Sequence, residues 1–118
     1  KELLLLMAGH SRNAVTRAVQ ALVERDEPLA RRVIEDDNIV DQLEIKVDEV
    51  AVNLLAKAPL ASELRLITVA MKVCHDLERV GDEAACWAEA DRAKAEIRAA
   101  VKTEGANFMR ISKWKGFR

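Results

Sequence analysis

Apolar residues recur at alternating steps of three and four along most of the chain, a spacing that fits helices sharing one buried seam and nothing built from strands. In the first segment Leu4, Met7, Ser11, Ala14, Ala18, Ala21 and Arg25 keep the alternation, and Leu3, Val15 and Leu22 widen the stripe. In the second, Ala30, Val33, Asp37, Val40, Glu44, Val47, Ala51 and Leu54 repeat it. In the third, Leu60, Leu64, Ile67, Met71, Cys74, Glu78, Gly81, Ala85 and Ala88 carry it on. The interruptions are short. Arg25-Asp26-Glu27-Pro28 reads as a tight turn, with Asp26 as an N-cap and Pro28 tolerated in the first turn that follows. The second helix is expected to stop at Lys57-Ala58-Pro59, because the residue before a proline disfavours helix. The third is expected to run past Ala99 until Gly105 breaks it.

Three helices joined by short turns predict an all-α fold, an antiparallel up-down-up three-helix bundle over residues 1–104. Residues 105–118 then form a basic aromatic tail, holding three of the four aromatic residues: Phe108, Trp114 and Phe117. The composition agrees with packed helices. Half of the 118 residues are hydrophobic and only 3% are aromatic.

Several function classes are excluded or disfavoured at this stage. A net charge of -1 gives no strong positive field for nucleic acid. No run of about 18 apolar residues offers a membrane span. The short run Leu3 to Met7 lacks a cleavage-site pattern, and a chain opening on Lys1 is read as a fragment or a processed form. Cys74 and Cys86 would lie roughly 18 Å apart along one helix, too far for a disulfide, so reduced thiols in the cytoplasm are expected. Neither belongs to a CxxC pair. No nucleophile–base arrangement and no phosphate-binding glycine loop points to an enzyme.

The breaks in the stripes carry the functional information. Asp37, Glu44 and Glu78 fall on or beside the apolar seam, and Gly81 follows one turn after Glu78. A buried carboxylate costs several kcal/mol unless it is paired or bound to a cation, and a mid-helix glycine costs about 1 kcal/mol relative to alanine. Asp37 has Asp41 four residues on, and Glu78 has Asp82. Like charges at that spacing repel on an isolated helix, and a cation reverses the sign of that term. Asp37, Asp41, Glu78 and Asp82 are therefore the candidate metal ligands, with oxygen donors that suit Fe, Mn or Mg over Cu(I). The plainer readings are that such pairs lie on solvated faces, that Glu44 pairs with a lysine, and that Gly81 only lets two helices approach. His75, three residues before Glu78, is either a further ligand or a boundary residue, and His10 has the same plain reading. Cys74 reads as a small core hydrophobe.

These stretches resemble the PhoU family of bacterial and archaeal phosphate-uptake regulators. The matching segments are Ala21-Leu22-Val23-Glu24-Arg25-Asp26, then Asp37 through Glu44, then Leu54-Leu55-Ala56 with Pro59 and Ser62-Glu63-Leu64-Arg65, and last Asp76-Leu77-Glu78-Arg79-Val80-Gly81-Asp82. The resemblance covers roughly residues 14 to 90. It implies a three-helix bundle that family members carry twice, and two acidic-x-x-x-Asp motifs holding multinuclear metal clusters, here Asp37 with Asp41 and Glu78 with Asp82. Iron or zinc is the metal it suggests. It also implies a non-catalytic role beside a phosphate ABC transporter and a membrane sensor kinase, damping uptake and the starvation response. The chain has one repeat, and Cys86 stands where the family often has Asn.

Two other functions compete. A plain helical dimerisation module explains the seam but not Glu78 and Gly81 together. A carboxylate-bridged di-iron enzyme needs Glu-x-x-His motifs, and neither His10 nor His75 has a Glu three residues earlier. A single bundle with Trp87 beside its motif is expected to form a homodimer. The tail is expected to pack on the bundle or on a second copy, with peripheral membrane contact as the alternative.

Overall fold

The computed structural model describes the backbone of residues 1–57 and 59–115 and the side chains of residues 1–57 and 59–103. It contains three helices: α1 (Glu2–Glu24), α2 (Glu27–Leu55) and α3 (Ala61–Lys115). Each junction follows from local chemistry. Arg25 closes α1 in the left-handed conformation at φ 56°, a C-cap geometry that ends helices. Asp26 then caps α2, its carboxylate accepting from the Leu29 N–H at 3.0 Å, with Pro28 inside the first turn. At the start of α3 the Leu60 N–H donates to the Glu63 carboxylate at 3.0 Å, the return half of a capping box.

Contacts between helices set their directions. Cys74 on α3 meets Met7 on α1 through their sulfurs at 3.5 Å, and the Ser11 hydroxyl on α1 reaches the Leu77 carbonyl on α3 at 2.9 Å. Position rises on both helices together, so α1 and α3 are parallel. Arg17 on α1 pairs with Asp36 on α2, while Met7 packs in one cluster with Val40, Leu43 and Val47. The order is reversed there, so α2 runs against α1, and the bundle is up-down-up.

Two apolar clusters form the core. Ala18, Ala21, Ala30, Val33, Ala84 and Ala88 pack near the α1–α2 turn. Met7, Val40, Leu43, Val47 and Cys74 pack towards the other end. The stripes predict most of these positions, but Leu43 and Ala84 are buried where the spacing pointed to Glu44 and Ala85. At their distal ends the stripes are not buried. Leu54, Leu60 and Leu64 are exposed. An apolar groove at this end is lined by Leu4, Val47, Leu54, Leu66 and Val73.

Gly105 does not end α3, whose helix continues to Lys115. One glycine costs only about 1 kcal/mol in a helix interior, and strong helix formers precede it. Beyond Arg92 this helix leaves the bundle: from Ala93 to Thr103 only Ala95 is not exposed. The aromatic tail side chains, Phe108, Ile111, Trp114 and Phe117, and the expectation that they pack, lie outside the described residues. No helix among the described residues is long and apolar enough to cross a membrane.

Candidate metal centre

Helical repeat and antiparallel register together build this site. On α2, Asp37, Asp41 and Glu44 lie on one face at steps of four and three; on α3, His75, Glu78 and Asp82 do the same at steps of three and four. Because α2 and α3 run oppositely, the two rows meet. They divide into two clusters: Asp37, Asp41 and Asp82 bring one oxygen each within 4.8 Å of one another, and Glu44, His75 and Glu78 do so with two oxygens and one nitrogen.

The four carboxylates singled out in the sequence thus lie along one α2–α3 face, but not as a single set of four. Glu78 belongs with Glu44 and His75. Among the described residues Glu44 pairs with no lysine; its oxygen lies 3.6 Å from His75 Nδ1. The sequence signal for both added residues was present, since each continues its helix's acidic row by one turn, but only the inter-helix register makes them neighbours. His10 lies elsewhere, beside Asn13 and Arg17 in a small pocket between α1 and α2 that also touches Asp37.

Electrostatics at this face is strained. Burial, then the charges of Asp41 and Asp82, push the Asp37 pKa up. Burial, then Asp82 by charge and by hydrogen bonding, and Glu44 push Glu78 up, with His75 acting in the opposite direction. Among the described residues, no lysine or arginine forms an ion pair with Asp37, Asp41, Glu44, Glu78 or Asp82; the basic side chains pair with Asp36, Glu27, Glu89 and Glu96 instead. Five carboxylates are gathered on this face, with one imidazole beside Glu44 and Glu78.

Gly81 has a defined part in this arrangement. It is buried, and a Cβ built there would lie 3.2 Å from the Asp37 Oδ1 and 3.4 Å from the Val40 Cγ1. The missing side chain lets α2 lay the Asp37 carboxylate directly on the α3 backbone. Cys74, below the cluster, is a core residue. Burial, aided by the charges of Glu44, Asp48 and Glu78, pushes its thiol up to about 11, so it remains protonated against Met7 at neutral pH. Free Cys86 is exposed.

The donor set fits a hard or borderline divalent ion. Converging oxygens with one imidazole suit Mg, Mn, Fe or Zn. The carboxylates repel one another without a cation, and a glycine opens the space one of them occupies.

Comparison with known proteins places the chain. The PhoU domain family matches residues 4–90. The chain is 48% identical over 82 residues to the phosphate-specific transport system accessory protein PhoU homolog of Pseudomonas putida, covering 69% of this chain and 32% of that protein. It is 41% identical over 81 residues to the accessory protein PhoU of Escherichia coli, covering 68% and 34%. The homolog of Rhizobium meliloti is 44% identical over 77 residues, covering 64% and 32%. The aligned region spans about a third of the length of these relatives. No solved structure matches the chain.

Proposed function

The chain belongs to the PhoU domain family, and from that premise we propose that it is a non-catalytic, metal-binding regulator of phosphate transport. The observation that carries the metal part is the α2–α3 face, where Asp37, Asp41, Glu78 and Asp82 gather with Glu44 and His75 and, among the described residues, no lysine or arginine forms an ion pair with them. A divalent cation would favour the ionised carboxylates, offsetting the burial and the mutual repulsion that together raise Asp37 and Glu78. Iron and zinc are the first metals to examine, with manganese and magnesium next.

The regulatory part rests on the relatives, which are named accessory proteins of a phosphate-specific transport system. The proposed partners are the cytoplasmic side of a phosphate ABC transporter and its membrane sensor kinase, with the protein in the cytoplasm and acting as a homodimer. Metal held between α2 and α3 would lock the register of those two helices, and so the surface they present to a partner.

Calorimetric titration with Zn²⁺ and Mn²⁺ tests the metal reading. The wild-type chain is expected to bind, and a Glu78→Ala plus Asp82→Ala variant to lose most of the heat. Equal heat from both would refute the assignment. In cells lacking their own PhoU-domain protein, the wild-type chain is expected to lower phosphate uptake and the double variant to do so less.

A further inference from the structure

Past Arg92 the third helix continues to Lys115, so about 35 Å of it projects from the bundle. A helix of that length is marginal in water unless an apolar face finds a partner. This one carries such a face. Trp87, Ala90, Lys94, Ile97 and Val101 follow one another at alternating steps of three and four. All five are exposed, Ile97 and Val101 at 63% each. Asp91 and Ala95 belong to a separate line that continues the buried seam of Ala84 and Ala88. In the sequence Glu104, Phe108 and Ile111 keep the same alternation, which makes a run of heptads that is apolar except at Lys94 and Glu104.

The order of those two charges selects the occupant. Paired in parallel and in register, two copies of α3 would set Lys94 against the partner's Lys94 and Glu104 against the partner's Glu104. Paired in the opposite direction, with Ile97 facing the partner's Val101, the same spacing sets Lys94 against the partner's Glu104. It also sets Ala90 against the partner's Phe108 and Trp87 against the partner's Ile111. Every apolar position then meets an apolar one, and each charge meets its opposite on both sides of a twofold axis. That is the self-complementarity an isologous contact requires. Ala93 and Ala100 flank the line and leave room for close approach. An anionic membrane is a poorer match, because Glu104 interrupts the apolar stripe that would enter it.

We propose that the projecting part of α3 binds a second copy of this chain as an antiparallel helix pair centred between Ile97 and Val101, with Lys94 and Glu104 as the charges that fix its direction. The proposal rests on the homodimer part of the reading above and adds where the two copies meet. The contact lies largely past residue 90, where the PhoU domain match ends, so it belongs to this chain's own extension.

Sedimentation equilibrium on the full chain compares wild type with Lys94→Glu, with Glu104→Lys and with both exchanges together, and circular dichroism checks that each variant stays helical. Wild type is expected to be dimeric at micromolar concentration. Each single exchange should weaken dimerisation at least about tenfold, because it sets like charges together in an otherwise apolar contact. The double exchange should restore wild-type assembly. A parallel pair predicts no effect of either single exchange, since each only replaces one like-charged layer by another. A dimer unmoved by the single exchanges, or one that the double exchange fails to restore, overturns this contact and leaves the homodimer standing. Wild type that stays monomeric at high micromolar concentration overturns both, and binding of that monomer to vesicles of phosphatidylcholine and phosphatidylserine would assign the face to a membrane instead.

Discussion

Near the α1–α2 turn the three helices meet through Ala18, Ala21, Ala30, Ala84 and Ala88 around Val33, whereas towards the other end Met7, Val40, Leu43, Val47 and Cys74 fill the interior. Small residues let backbones approach and bury little area each; large ones hold the helices apart and bury much more. The carboxylate face begins where one regime gives way to the other. Asp37 follows Val33 on α2 by one turn, and it rests on Gly81, one turn before Ala84 on α3. Close approach at Gly81 lays the Asp37 carboxylate against α3, and beyond it Glu44 and Glu78 lie beside His75 at 3.6 and 3.7 Å. The contrast teaches that one small residue on the seam decides how closely a flanking carboxylate can lie on the neighbouring helix.

The largest effect that would break this contrast is a truncation at each end. Met7 is fully buried, and Met7→Ala is expected to destabilise the fold by about 2–5 kcal/mol. Ala21→Gly, equally buried, should cost about 1 kcal/mol, mostly through helix propensity. Urea unfolding measures both. Equal costs would mean that the two ends are packed alike.

A smaller effect concerns the acidic flank. In metal-free protein the folded pKa values of Asp37 and Glu78 lie above their ordinary 3.8 and 4.5. Between the ordinary and the raised values the folded state holds more protons than the unfolded one, so stability falls as pH rises through that window. Thermal unfolding in the presence of a chelator should therefore show a contribution that grows on acidification from neutral pH towards the ordinary carboxylate range. Saturating Zn²⁺ or Mn²⁺ should flatten or reverse it. A metal-free protein whose melting temperature rises steadily with pH through the window would contradict the electrostatic account.

The smallest stability effect belongs to the residue at the border. Gly81→Ala gains about 1 kcal/mol of helix propensity and loses a comparable amount by crowding Asp37 and Val40. Net stability should change by less than about 1 kcal/mol. Metal affinity should fall, because the displaced group is the Asp37 carboxylate. Unchanged affinity would show that the glycine serves packing alone.

Much of this was legible in the sequence, for identifiable reasons. Asp26 caps α2 as its position before Pro28 implies, and Ser11, Ala18, Val33, Val40, Cys74 and Ala88 are buried as their spacing implies. Asp37, Glu78 and Gly81 stand out because each is the wrong residue for a helix seam. Other features were not legible. Gly105 reads as a stop, yet α3 passes through it, since a single glycine is too weak a penalty to end a helix that neighbours on both sides favour. Leu60 and Leu64 belong to the stripe but are exposed, since periodicity says which face is apolar and nothing about what packs on it.

Helix positions, caps and faces depend on neighbours within a turn, where hydrogen bonds and side-chain rows follow from the order of residues, so the sequence by itself determined three helices and the carboxylates that share a face. The register of α2 against α3 depends on how alanines, Gly81 and the larger core residues settle together across the bundle. Only the tertiary structure decided that Asp82 meets Asp37 and Asp41, while Glu78 meets Glu44 and His75.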